Sequence, residues 1–297
     1  MKRAAQILVA FCVVAGGATA AVAADRTVRN GYVDNRYGQL HYTIATPGLP
    51  ARSRRTPIAL LPQTVNSSIE SRALFDELAK DRVVIAIDPP GVGGSDGPDA
   101  PVPIEDYAAA IAEGLRGLGF GPRRPIDVMG LHTGALTAAE LAIAEPRMIR
   151  RAALSGVYVV PEARWKKALA TLPPYRSSAE FFDWFVGMLP RLRQRAQDIG
   201  LPDDDWGRIT AESLRPLLRR EFGHDAAFRY AERAPERLPL VAQPVLLLAF
   251  GDSLRQPTID SRPLFRNVQL VDLPQYLDAA YYPDVAPVAA ALRKFLD

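Results

Sequence analysis

Residues 125–145 read PIDVMGLHTGALTAAELAIAE and hold the densest chemical signal in the chain. An apolar run leads into Gly130-Leu131-His132-Thr133-Gly134, and a helix of small residues is expected to follow at once. Glycines two places to either side of a central residue frame a sharp strand-to-helix turn that lifts the central side chain above a sheet edge. The backbone there packs too tightly for a Cβ, which is why Gly130 and Gly134 are needed. A turn of this kind ordinarily carries a nucleophilic Ser; here the central residue is His132. An imidazole in that position could take a proton from water as a general base, or attack a carbonyl directly. It could equally be a hydrogen-bonding residue in the wall of a binding pocket.

An imidazole that works as a base needs an acid to hold its tautomer. Asp252, just after the apolar run Val245–Phe250, is one candidate, and Asp278 in the stretch 273–282 is another, with Tyr276 beside it as a possible pocket residue. The other two histidines are His41 and His224. His41 lies in an early strand and reads as structural, away from the active edge; His224 falls in a helical region. Ser95 belongs to a turn and Ser155 ends a strand, and neither has a glycine frame. Asp203-Asp204-Asp205 are consecutive and cannot all converge on a metal, so they read as a solvated loop. The turn Gly91-Val92-Gly93-Gly94 lacks the strand-then-helix context and trailing Lys of a phosphate loop. Arg191, Arg193, Arg195, Arg215, Arg219 and Arg220 read as exposed helix faces. No cofactor and no metal site is expected.

The elements that would hold these residues can be read from the pattern. Gln39–Ala45 alternates like a half-buried strand, while 57–61, 83–87, 126–129, 152–154 and 245–250 are short apolar runs suited to strands buried on both faces. Helical segments are expected at 71–80, 104–118, 135–145 and 287–296. This alternation argues for an α/β fold with a mostly parallel sheet and helices on both faces. Between residues 161 and 238 the rhythm breaks into short helices rich in Arg and aromatic residues, Trp165, Trp184 and Phe228 among them. Strand signal resumes at Gln243, so this region reads as an insertion within one domain.

Composition narrows the function classes. The 297 residues include 36 Lys and Arg against 33 Asp and Glu, and 48% are apolar, which fits a globular chain without the basic stripe of a nucleic-acid binder. Lys2 and Arg3, an apolar core from Ala4 to Val14 and the run Ala21-Val22-Ala23-Ala24 have the anatomy of a secretory signal peptide. Removing residues 1–24 would leave 273 residues and take away the only Cys, Cys12. The mature protein is then expected outside the cytoplasm, free of the membrane, and acting on a small-molecule substrate or ligand.

Five motifs in order give the chain a resemblance to the α/β-hydrolase superfamily over nearly all of residues 25–297. Asp88-Pro89-Pro90-Gly91-Val92-Gly93-Gly94-Ser95-Asp96 looks like the family's D-x-x-G-x-G-x-S-D turn. Leu60–Thr64 stands where members have an apolar strand ending in His-Gly, the glycine-framed turn is the family's nucleophile elbow, 161–238 takes the place of its cap, and Val245–Asp252 resembles its acid-bearing strand and turn. The resemblance implies a core of 25–160 and 239–297, oxyanion donors at the backbone N–H groups of Thr64 and Thr133, and Asp252 as the acid. The family's late His is missing from 273–282, so the Ser-His-Asp arrangement is not present. Two functions remain open: an exported hydrolase of a small apolar ester or other carbonyl compound using His132 with Asp252, and an inactive relative that binds a small hydrophobic ligand.

Overall fold

A computed structural model describes residues 26–48, 55–64, 66–171, 178–198, 200, 202–204, 206–208, 210–211, 222–276 and 284–297. Eight strands form one sheet: β1 Thr27–Asn35, β2 Gly38–Thr46, β3 Ile58–Leu61, β4 Val84–Ile87, β5 Ile126–Leu131, β6 Ile149–Ser155, β7 Val245–Phe250 and β8 Val268–Leu273. Their order is β1-β2-β4-β3-β5-β6-β7-β8, with β1–β2 and β2–β4 antiparallel and every other pair parallel. The helices named here are α1 Arg72–Leu78, α2 Ile104–Gly117, α3 Thr133–Ala144, α4 Glu162–Thr171, α5 Ser178–Asp198, α6 Gly223–Arg237, α7 Arg255–Asp260 and α8 Ala286–Leu296. Among the described residues, no helix is long and apolar enough to cross a membrane.

Every residue of β3, β4, β5 and β7 is buried, as strands covered on both faces must be. Side chains alternate between two apolar layers. Ala59, Ile85, Val128 and Leu247 join the layer beneath α2, α3 and α6. Ile58, Leu60, Val84, Met129 and Leu246 face α1 and α8 on the other side. Helix α8 closes that second layer with Val288, Leu292 and Phe295. Burying each of these side chains contributes about 1.5–3 kcal/mol.

Strands β1 and β8 are absent from the strands read off the pattern, and β1 is the clearer case. Its sequence TVRNGYVDN is polar and largely exposed, so there is no apolar alternation to read. Pairing with β2 along its whole length makes it a strand, from Thr27 opposite Thr46 to Asn35 opposite Gly38. The strand expected at 152–154 runs longer, because Ile149 joins the ladder beside Ile126.

Helix α3 is buried nearly all round, and its one carboxylate, Glu140, holds α6 in place. Glu140 accepts from the Tyr230 hydroxyl at 2.6 Å and from two Arg237 nitrogens at 2.9 and 2.6 Å. Burial, and then the adjacent Glu140 charge, hold Tyr230 in its protonated, donating form. Removing one member of a buried charged network strands the others without partners. Glu140→Ala is therefore expected to lower unfolding stability by about 3 kcal/mol, the low end for such pairs because Arg237 keeps some solvent. Urea denaturation measures it, and a loss below about 0.5 kcal/mol, the level of a surface substitution, contradicts this account.

Candidate active site

The site lies at the carboxyl end of the parallel strands. His132 sits between the end of β5 and the start of α3, with φ 47° and ψ −112°. Among the described residues it is the one non-glycine with positive φ. Such a conformation costs roughly 1–3 kcal/mol and persists only where the surroundings impose it. Here they do. A Cβ at Gly130 would run into the carbonyl of Gly134, and one at Gly134 would run into the Leu61 carbonyl on β3. The His132 amide donates to the Ser155 carbonyl at 2.7 Å, tying the turn to β6.

His132 occupies the N-cap position of α3 but makes no side-chain cap bond. Its ring turns across the sheet edge instead, and Nε2 lies 2.9 Å from Oδ2 of Asp252 in the turn after β7. The other oxygen of Asp252 accepts from the Leu254 amide at 2.7 Å, and the carboxylate is only 2% exposed. A carboxylate accepts but does not donate, so Nε2 carries the hydrogen, and in the neutral ring Nδ1 keeps a lone pair. Gly156, at φ 70°, makes room for the ring: a Cβ there would strike Cδ2. With Cδ2 against Gly156 and Nε2 on Asp252, the exposed part of the ring is its Nδ1–Cε1 edge, and the side chain is 20% exposed.

His132 lines a cavity of about 420 Å³. Thr64 and Thr133 line it, as does Gln63, while Tyr158, Phe228 and Leu254 form an apolar wall. The Thr133 amide is in the first turn of α3, where N–H groups have no partner within the helix and the helix dipole favours negative charge. His224, on α6, also reaches this cavity although its place in the chain is wrong for the family's His. Of the sequence candidates, His132, Asp252, Thr64 and Thr133 come together, with Gly130 and Gly134 shaping the turn. Asp278 lies outside the described residues, as do residues 1–24.

Tyr276 is a correction. It is buried against Phe250 with ring centroids 5.5 Å apart, and its hydroxyl donates to the Asp284 carbonyl. It belongs to the apolar layer beneath α1 and α8 rather than to the cavity. His41 departs differently from expectation. It stands at the carboxyl edge of the sheet because β2 runs antiparallel to β4, and its Nδ1 lies 2.9 Å from Asp88 in a separate cavity of about 320 Å³. Asp88 also accepts from the amides of Ser68 and Gly94, both at 2.8 Å, so it ties three chain segments together. Burial would raise the pKa of Asp88, but the bonds from His41, Gly94 and Ser68 outweigh it and hold the group below the ordinary value. Ser95 is structural too, donating to the Asp88 carbonyl and accepting from the His41 amide.

Glu70 was missed by sequence reasoning. Ser67-Ser68-Ile69-Glu70 matches the S-x-x-E pattern of a capping box, and Ser67 does cap the short 3₁₀ turn Ser68–Ser71. Glu70, however, turns to the loop after β3, accepting from Gln63 Nε2 at 2.6 Å, the Gln63 amide at 3.2 Å and Asn66 Nδ2 at 2.7 Å. It thereby holds the loop that presents Thr64. Burial pushes its pKa up, while the bonds from Asn66 and Gln63, and the nearby His132, pull it back part of the way. Among the described residues, no group of three His, Cys, Asp or Glu side chains gathers in a way that could hold a metal ion.

The raised pKa of Glu70 has a sign that can be tested. Stability from the uncharged form is complete below the unfolded value of 4.5 and is lost as pH rises through the folded value. Glu70→Gln removes this titration. The stability gap between the two proteins should therefore move in favour of the variant as pH climbs from about 4 to about 8. Urea midpoints across that range measure it, and a pH-independent gap contradicts the assignment.

No protein-family model matches the chain, and no curated protein is similar to it in sequence. Solved structures do match in fold. A hydrolase from Pseudomonas aeruginosa PA01 superposes with a TM-score of 0.68 at 20% identity, over 90% of this chain and 98% of that one. The enol-lactonase from Burkholderia xenovorans LB400 gives 0.67 at 18% identity, over 90% and 99%. A thermophilic esterase from Thermogutta terrifontis gives 0.67 at 18% identity, over 90% and 98%.

Proposed function

Given that the chain has the α/β-hydrolase fold, we propose that it hydrolyses a small ester-like carbonyl compound, with His132 as the general base and Asp252 holding it. One observation carries this reading: His132, which lines an open cavity, engages Asp252 through Nε2 at 2.9 Å, so that Nδ1 is the nitrogen left for substrate chemistry. The similar structures, described as a hydrolase, an enol-lactonase and an esterase, support addition of water to an ester or lactone.

In this mechanism the apolar part of the substrate lies against Tyr158, Phe228 and Leu254. Nδ1 takes a proton from water as the water oxygen bonds to the carbonyl carbon. Negative charge grows on the carbonyl oxygen, next to the amides of Thr64 and Thr133; each well-placed donor of this kind contributes about 3 kcal/mol. Asp252 stabilises the imidazolium. Collapse of the tetrahedral intermediate breaks the carbon–oxygen bond, and the departing alkoxide takes the proton back from His132. One water is consumed, and an acid and an alcohol are released.

His at the elbow in place of Ser favours a second reading, a pocket that binds its ligand without turnover, because the fold needs the turn whether or not it does chemistry. A turnover screen on short esters and lactones separates the two. For the enzyme, His132→Ala is expected to lower kcat about 10²- to 10⁴-fold. Asp252→Asn is the sharper variant. The Leu254 amide keeps the Asn oxygen on its own side, so the Asn NH₂ faces Nε2 and drives the hydrogen to Nδ1. The base is then blocked with the ring still in place, and a loss of about 10³-fold or more is expected. Activity unchanged in His132→Ala overturns the mechanism; ligand binding without any turnover supports the binding pocket.

A further inference from the structure

The cavity has a charge pattern that the catalytic residues do not explain. Its wall includes Arg164, Lys167 and the two histidines His132 and His224 and, among the described residues, no Asp or Glu. Arg164, Lys167, Ala168 and Thr171 all face it, a spacing of i, i+3, i+4 and i+7 that puts them on one side of α4. A helix ordinarily turns apolar residues inward along such a stripe, but this one turns two permanent cations. Lys166 is different: it pairs with Glu162 and lies 5.5 Å from the Trp165 ring centre, leaving the cavity side to its neighbours.

Among the described residues, neither Arg164 nor Lys167 has a carboxylate partner. Arg164 is nonetheless held, because one of its nitrogens donates to the Ser253 carbonyl at 3.2 Å, in the turn that carries Asp252. Its guanidinium therefore stands over the same floor as the His132–Asp252 pair. Phe228 and Leu254 add apolar surface to the same cavity, Leu254 next to the Ser253 carbonyl that Arg164 binds. The lining thus combines cationic side chains from α4 with apolar surface.

We infer that the compound taken by this cavity carries a negative charge, a carboxylate in particular, held by Arg164 and Lys167. Only the turnover of that compound rests on the proposed hydrolase; the anion site stands on the lining itself. Arg supplies a planar fork that matches a carboxylate, and Lys a mobile point charge. The uncharged part of the compound then extends toward the Nδ1 edge of His132.

Calorimetric titration with succinate, and with neutral succinamide as its isostere, tests the inference without requiring turnover. Succinate should bind about a hundredfold tighter, with each of the two cations contributing roughly tenfold, the low end for charged hydrogen bonds because both side chains are solvent-exposed. Arg164→Met and Lys167→Met should each weaken succinate by that factor and together abolish the preference. Lys167→Arg should retain it, as should Lys166→Met on the other face. Equal binding of the two probes, absence of succinate binding at millimolar concentration, or a preference that survives in the double variant overturns the inference. Parallel assays on a neutral ester and on a hemiester bearing a free carboxylate keep the two proposals apart. Succinate binding with no turnover of either ester refutes the hydrolase and leaves the anion site standing. Turnover of the neutral ester without succinate preference does the reverse.

Discussion

The tight turn at residues 130–134 is the constraint on which the site depends. Gly130 and Gly134 approach so closely, and Gly134 lies so near the Leu61 carbonyl, that a side chain at either glycine would force the strand and helix apart. The residue between them is left with a left-handed backbone and a side chain above the sheet edge. That geometry takes His132 out of its capping role and leaves its ring free to reach a partner on another strand. The strain is local and modest, and it is balanced by the packing of β5 and α3, which is among the most deeply buried in the molecule.

In the proposed reaction an imidazole at this turn rearranges the usual division of labour. With Ser at the centre, a second residue must carry the base to it. A longer side chain at the same point spans the gap itself and meets the acid at the end of β7 directly. Gly156 is part of this solution, since the ring occupies the volume a β-carbon would need. Glu70 supports it from the other side, by holding Gln63 and the loop that brings Thr64 to the cavity. Neither residue touches the proposed chemistry. Both decide where the groups that do are placed.

The helical segment between β6 and β7 contributes in two ways. Helix α6 is anchored to the core by the buried Glu140 network and supplies an apolar wall. Helix α4, none of whose residues is buried, supplies charge.

Much of this could be read along the chain. The fully buried strands announce themselves as short apolar runs because both of their faces are covered, and the glycine frame at His132 is legible because a clash between backbones leaves no alternative residue. The carboxylate that meets His132 was equally accessible, Asp252 being the first after the apolar run of β7. Strand β1 was not, since a polar edge strand is defined by its partner rather than by its own pattern. Glu70 was hidden for a related reason: its S-x-x-E spacing describes a local cap, while its real partners lie on a loop brought near by the sheet. His41 and Tyr276 were misplaced because strand direction and the curl of a loop, which no local spacing records, decide which edge or core a side chain joins. The sequence by itself determined the elements, the turn and the identity of the groups available, all consequences of local sterics and apolar periodicity. Which imidazole meets which carboxylate, and which cations face the cavity, depended on residues far apart in the chain being packed together, and only the tertiary structure decided that.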